Sequence, residues 1–410
     1  MADDGLRLTD AISLGVLAQV VGRDLIEDVL DATGCREQRK RRLPAQVMAR
    51  FCVAMCLFYD DDYEEVMRKL VGSLQEMDSW RDDWQVPTTS AITQARQRLT
   101  ADPMKMLFDR IAIPVAGRGT KGAWLRAWRL MAADGFMLDV AASKENAAEF
   151  GRLDSGPKAS AFPQVRVLTL DECGSHASVA AAFGPARVDE RTLLTNILGA
   201  FEPGMLVIAD RNFYGFTLWQ KALATGADLL WRVSASVSLP VLEPLPDGSY
   251  RSVVINPTIS GARRRALLDK LRRGVSVPPE HAISVRVIEY EIPDRAGNGT
   301  GELLCLITSI LQVAQASATE LAAAYHERWE TETAIREKKT YLRRSGRVLR
   351  SQSPDMVRQE IWSLLLAHYA IRKLMCTAAD EAGYDPDQLS FTRSLRVIRR
   401  QVTKQADFSP

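Results

Sequence analysis

The chain has 410 residues, of which 46% are hydrophobic and 25% charged, the profile of a globular protein with room for two or three domains and a substantial core. Its net charge of +2 announces no nucleic-acid partner by itself, so any such partner has to be met by local basic patches. The six cysteines are scattered with no CxxC pair and the four histidines have no HxxxH spacing, which argues against a disulfide framework or a structural zinc site and fits a reducing cytoplasm.

Residues 1–115 read as helical. The opening "MADDGLRLTD" is too acidic and polar for a signal peptide. Thr9 or Asp10 can cap a first helix that carries Ile12, Val16 and Val20. The basic run "REQRKRR" (36–42) follows, and Pro44 then stands at a helix start before "AQVMARFCVAMCLF". The apolar run Phe51–Tyr59 is far shorter than the ~20 residues a membrane span needs. "YDDDYEEVMRKLVGSL" opens the next helix with acids that complement the helix dipole. "VPTTSAITQARQRL" (86–99) has hydroxyl caps and a basic end, which suits either a DNA-contacting helix or an ordinary amphipathic one.

From about residue 124 the texture changes. "WRLMAADG" predicts a strand that ends in an Asp-Gly turn, "FPQVRVLTLDEC" a second strand and "HASVAAAFG" a third. "DERTLLTNILGAF" predicts a helix, "MLVIADRNF" an apolar strand broken at Asp210, "GFTLWQKALATG" a helix and "ADLLWRVS" a strand. Three adjacent strands followed by helix-separated ones make an α/β protein with a mixed sheet, in the element order of the ribonuclease-H-like fold. Residues 234–311 read as a β-rich insertion punctuated by Pro, Asp-Gly and Asn-Gly, with the basic stretch "GARRRALLDKLRRG" inside it. The expected organisation is a helical N-terminal module (1–115), the first part of an α/β core (116–233), the insertion (234–311), the rest of the core with a glutamate-bearing helix and the helix after it (312–375), and a helical tail (376–410).

Asp134 and Asp210 each end an apolar strand, and ligands of open α/β sheets bind at that edge. Asp139 is a rival to Asp134, better suited to a loop or the second face. In "YHERWETETAIREKK" (325–339), read as one helix, Tyr325, Arg328, Glu332 and Lys339 fall in a stripe about 60° wide. Glu327, Glu330 and Glu337 fall on the far side, as a solvated face. Glu332 could simply pair with Arg328 or Arg336 on a helix surface. Together with Asp134 and Asp210, however, it completes a carboxylate cluster beside a cationic stripe, which suits divalent metal and phosphate.

These residues resemble a known family. "YHERWETETAIREKK" matches the Tyr-x2-Arg-x3-Glu-x6-Lys signature of DDE transposases of the insertion-element-four type. "VIADRNFYG" and "LMAADGFMLDVAASKENAAEFG" are similar to that family's segments around its two catalytic aspartates, and the likeness extends over nearly the whole chain. Where the family often has a small hydroxyl residue and a Pro-Asp-Thr-like element, this chain has Phe136 and Ala141–Ser143. The resemblance implies Asp134, Asp210 and Glu332 as catalytic residues and ligands of two Mg²⁺ or Mn²⁺ ions. It implies DNA binding for the N-terminal module, catalysis for the core, and DNA contacts by Tyr325, Arg328 and Lys339, with Arg336 grouped beside them. It also implies cleavage at terminal inverted repeats, a hairpin intermediate, strand transfer into target DNA and a homodimer on DNA, with no membrane association. The alternatives are a metal nuclease of the same fold without strand transfer and a non-catalytic DNA-binding relic.

Overall fold

The computed structural model describes residues 15–37, 39, 41–75, 85–153, 160–234, 236–292 and 302–403. The expected cap at Thr9 or Asp10 lies outside them, as do Gln38 and Lys40 of the first basic run. After a 3₁₀ turn at Gly15–Gln19 come α1 (Arg23–Ala32), α2 (Ala45–Leu57), α3 (Tyr63–Gln75), α4 (Thr89–Leu99) and α5 (Asp102–Ile111). The sheet region runs β1 (Trp124–Leu125), β2 (Trp128–Asp139), α6 (Lys144–Phe150), β3 (Gln164–Glu172), β4 (Ser178–Pro185), α7 (Glu190–Asn196), β5 (Met205–Ala209), α8 (Phe216–Leu223) and β6 (Asp228–Val233). Then follow β7 (Glu243–Pro244), β8 (Tyr250–Ile255), α9 (Gly261–Arg272), β9 (Ala282–Ile292) and β10 (Glu302–Thr308). The chain closes with α10 (Ala318–His326), α11 (Trp329–Arg336), a π-helical turn (Glu337–Leu342), α12 (Pro354–Ala382) and α13 (Phe391–Thr403).

The helix starts use the residues that local chemistry favours. Pro44 precedes α2 in an extended conformation. Asp62 accepts the Glu65 amide at 2.7 Å before α3, and Thr88 accepts the Ala91 amide at 3.3 Å before α4. Every residue of α2 is buried, because α12 packs along it while α1, α3 and α4 cover its other sides. The basic end of α4 is a structural tie at Arg96. That side chain is fully buried and donates to Gln359 Oε1 (2.9 Å), Ser351 Oγ (3.1 Å) and the Tyr63 hydroxyl. Arg98, one turn edge away, is exposed.

All ten strands join one sheet in the order β4-β3-β2-β5-β6-β10-β9-β8-β7, with β1 paired on β2. The β2–β5 and β5–β6 pairs are parallel and the other pairs antiparallel. The strands of residues 234–311 attach through β10, whose Cys305 stands opposite Val233 of β6, so they lengthen the same sheet. The turn expected at Asp-Gly is absent. β2 runs unbroken through it, with Asp134 opposite Thr169 and Gly135 opposite Leu168. Gly135 serves close approach instead of a turn, since a Cβ there would lie 2.7 Å from Glu190 Oε1 on α7. Among the described residues no helix is long and apolar enough to cross a membrane.

Candidate active site

Strand periodicity places the two aspartates. Alternate residues of a strand share a face, so Leu130, Ala132 and Asp134 of β2 point one way, and Leu206, Ile208 and then Asp210 share that side. The parallel register pairs Ala133 with Ala209. The next residues on each chain, Asp134 and Asp210, therefore stand side by side where the β2–β5 ladder stops. Freed from the ladder, Asp210 accepts the amide of Arg211 at 2.7 Å.

The same face is covered by α10, whose Leu321, Ala324 and Tyr325 pack on Leu130, Ala132, Leu206 and Ile208. Ser317 and Glu320 form a capping box that starts α10. The glutamate segment is not one continuous helix. α10 ends at His326, and a tight turn follows in which the Arg328 amide bonds to the Tyr325 carbonyl (3.2 Å) and the Thr331 amide to the Arg328 carbonyl (3.0 Å). α11 then starts afresh. Arg328 ends up between two acids, donating to Asp134 Oδ2 and to Glu332 Oε1, each at 3.3 Å. Tyr325 is buried beneath it, and its hydroxyl has no hydrogen-bond partner among the described residues. Lys339 stands in the π-helical turn, which winds more loosely than an α-helix, and lies half-buried with Arg343 and Asp139 as its charged neighbours. Arg336 is exposed at the end of α11, with its guanidinium 6.0 Å from the Tyr341 ring centroid.

The electrostatics follow from this crowding. Burial pushes the Asp134 carboxyl up to about 6; the Gly135 amide and Arg328 pull the other way, while Glu190 and Glu332 add to the rise. Burial opposes the charge of Arg328, but Tyr325, Asp134, Asp210 and Glu332 more than offset it and raise its pKa. Burial likewise raises the Tyr325 phenol. Three carboxylates thus share one guanidinium as counter-charge.

Two family descriptions match the chain: an insertion element 4 transposase N-terminal region over residues 11–109, and a transposase DDE domain over residues 130–370. The chain belongs to the DDE transposases of the insertion-element-four type. The transposase InsG for insertion sequence element IS4 of Escherichia coli is 28% identical over 397 residues, covering 96% of this chain and 84% of that protein. A putative transposase InsZ of the same species is 26% identical over 225 residues, 54% of this chain and 72% of that one. The cryo-EM structure of a piggyBac transposase synaptic complex with hairpin DNA shares the fold at a TM-score of 0.51 and 10% identity, over 95% of this chain and 80% of the other. The transposase accordingly has a ribonuclease-H-like fold and catalyses DNA cleavage and strand transfer in transposition. Its family works with divalent metal ions. The donor set suits such ions: hard carboxylate oxygens, one of them held in a buried and acidic setting that a cation relieves.

The other glutamates of the signature segment are not a solvated face. Glu337 is buried and binds Arg372 Nε (2.8 Å) and His368 Nε2 (3.0 Å) of α12. Lys338 is fully buried and binds Asp171 Oδ1 (3.1 Å) on β3. Burial and a shared hydrogen bond with Glu327 push Glu330 up to about 9. Glu330 also lies near His176 and Asp387, a trio whose ligand atoms come within 4.8 Å of one another. That trio is a poor metal site. Arg372 donates to His176 Nδ1, so the neutral ring keeps its hydrogen on Nε2, the atom that faces Asp387 Oδ1 at 3.2 Å. Sequence reasoning also missed Glu190, which sits beside Asp134 and binds Arg166 at 2.8 Å. Nothing in its local sequence distinguishes it from an ordinary acid in a first helical turn.

Two expected outcomes arise here. Gly135→Ala forces Glu190 off its place beside Asp134 and is expected to lower cleavage about tenfold, ~1.4 kcal/mol of barrier, with little loss of stability. Gly135→Ala with Glu190→Ala removes the clash, and single-turnover rates on the two variants compare them; equal rates in wild type and Gly135→Ala would refute the coupling. The second concerns acid. Burial opposes ionisation of Glu337, yet His368 and Arg372 win and hold it at about 2 against an ordinary 4.5. Its stabilisation is therefore complete above about pH 4.5 and lost as pH falls towards 2. Burial holds His368 down at about 4, so its uptake of a proton on unfolding adds to the loss between its ordinary 6.5 and 4. Urea unfolding is expected to show falling stability from pH 6 to 4 through His368 and a further fall from pH 4.5 to 2.5 through Glu337, the second part less steep in Glu337→Gln.

Proposed function

We propose that Asp134, Asp210 and Glu332 are the catalytic carboxylates of the transposase and hold two Mg²⁺ or Mn²⁺ ions. The substrates in this reading are the terminal inverted repeats of its own element and a target DNA, bridged by a homodimer in the cytoplasm. One observation carries the assignment: Asp134 and Asp210 are neighbours at the end of a parallel ladder, and Arg328 joins Glu332 to the first of them. Ions bound there would activate the attacking oxygen and stabilise the leaving one in an in-line phosphoryl displacement.

The protein's own residues then do the following. The three carboxylates fix where the scissile phosphate lies. Arg328 compensates their charge in the free protein, and it can turn to phosphate oxygens when cations take over that task. The unpartnered Tyr325 hydroxyl supplies a further donor at the same place. Arg336 binds DNA from the exposed end of α11, and Lys339 binds it further along, near Asp139. In the first step a water oxygen attacks phosphorus, and the displaced 3′-oxygen leaves as a hydroxyl. That 3′-hydroxyl attacks the opposite strand to give a hairpin, displacing the 3′-oxygen of the flanking DNA. A second water opens the hairpin and frees the 3′-hydroxyl again, which then attacks the target and displaces a target 3′-oxygen. No bond to the protein forms. Incubation with Mg²⁺ and DNA bearing the element's terminal repeats is expected to yield hairpins and joined strands on denaturing gels. Nicking without joining would leave a plain nuclease in its place, and binding unaffected by loss of all three carboxylates, with no nicking, would leave a relic.

A further inference from the structure

The fold brings together arginines from two basic stretches, "REKKTYLRRSGRVLR" (336–350) and "RSLRVIRR" (393–400), and those beyond Lys339 have no part in the catalytic reading. α13 packs against the π-helical turn that follows α11. Between α13, that turn and the loop after it lies a cleft of about 380 Å³, lined by Arg344, Arg396 and Arg399 together with the hydroxyl residues Thr340, Ser345 and Thr392. Tyr341 and Thr392 also line a neighbouring cleft that continues along α11 past Arg336 to Thr333 and Trp329, where the acids Glu330, Glu337 and Asp387 line it too. One groove therefore runs beside the helix of Glu332 and ends among three arginines. Trp329, at its near end, is 59% exposed.

The cations of this groove are only partly compensated. Arg344 binds Asp60 at 2.6 Å, and Arg347 shares the same carboxylate at 3.7 Å. Arg399 donates to the Leu57 carbonyl at 2.5 Å. Arg396 is exposed and makes no ion pair among the described residues. Burial holds Arg399 below its ordinary pKa, with Arg344 and Arg396 adding to the fall and Asp60 and Asp61 opposing it, so the three guanidiniums stand close enough to feel one another. Arg344 itself sits at φ 71, with Gly346 at φ 74, so the turn that presents it is held in a conformation a side chain rarely adopts. The cleft beside α13 is lined by guanidinium and hydroxyl groups and, among the described residues, by no carboxylate, which suits phosphate oxygens.

We infer that this groove is a second DNA-backbone track, in which Arg344, Arg396 and Arg399 hold phosphodiesters of duplex DNA beyond those at the catalytic carboxylates. The inference rests on the transposase reading of the site and extends its footprint on the terminal DNA.

The test uses the full chain and a labelled duplex carrying the element's terminal repeat, with affinity followed by fluorescence anisotropy over a salt series. Arg396→Gln removes a side chain that holds nothing else. It is expected to weaken binding and to flatten the slope of log K against log salt by about 1, and Arg344→Gln/Arg396→Gln by about 2. Cleavage at saturating DNA is expected to stay within about twofold of wild type, because no contact at the reacting phosphate is lost. Unchanged affinity and slope in both variants, with melting temperatures like wild type, would overturn the inference. So would a large loss of cleavage at saturating DNA. Inorganic phosphate at matched ionic strength is expected to displace no more DNA than chloride does; selective displacement that depends on Arg396 would identify a small phosphate as the ligand instead. Failure of the wild type to cleave and join would refute the catalytic reading and leave the salt slopes to judge the groove separately.

Discussion

Asp210→Ala is expected to lower DNA cleavage by at least about a thousand-fold, ~4 kcal/mol of transition-state stabilisation, while terminal-repeat binding stays close to wild type. The aspartate ends a strand whose five residues are all buried, and it emerges beside Asp134 on the face covered by α10. Its loss removes a charge from the reacting centre without opening the core, since the carboxylate is only partly buried and binds just the next amide. Asp210→Asn keeps the shape and the amide contact but not the charge, so it should be nearly as impaired. Single-turnover cleavage of an end-labelled duplex, beside anisotropy for binding, separates chemistry from affinity. More than a tenth of wild-type activity in either variant would remove Asp210 from the catalytic set.

The second large effect concerns stability. Lys338 and Asp171 are both essentially inaccessible, and Asp171 also receives the hydroxyls of Thr169 and Ser178. Removing one partner of such a pair strands a charge in low dielectric, so Lys338→Met is expected to cost about 3–5 kcal/mol in urea unfolding. Lys338→Met/Asp171→Leu removes both charges and is expected to recover most of that loss. Thr169 stands opposite Asp134, so the pair also presses the π-helical turn onto the sheet next to that aspartate. A single variant as stable as wild type would show that the pair contributes nothing.

Much of the fold was legible because its signals are local. Pro44, Asp62 and Thr88 mark helix starts by chemistry that acts within one turn. Asp210 was legible because an apolar strand ran directly into a charge. Asp134 was harder, since Asp-Gly is a turn signal. Phe136 and Leu138 continue the alternation past it, and that pattern was the better guide. The reason for Gly135, a carboxylate from another helix, has no trace nearby. The same holds for Glu337 and Glu330. Their partners lie on α12, beside β3 and near Asp387, and a helical wheel sees only neighbours on its own helix. The wheel kept Arg328 and Glu332 together because they lie one turn apart, while the π-helical turn that carries Lys339 departs from the constant 100° per residue it assumed.

The burial of α2 bears on how the enzyme comes into being. The helix that covers its apolar side, α12, is synthesised only after the entire sheet. During translation α2 emerges early and waits with its hydrophobic surface uncovered, a long-range closure that folds slowly and invites chaperones. A ribosome that stalls anywhere before α12 yields a fragment that carries that apolar flank uncovered and, if it stops short of Glu332, lacks one of the three proposed carboxylates.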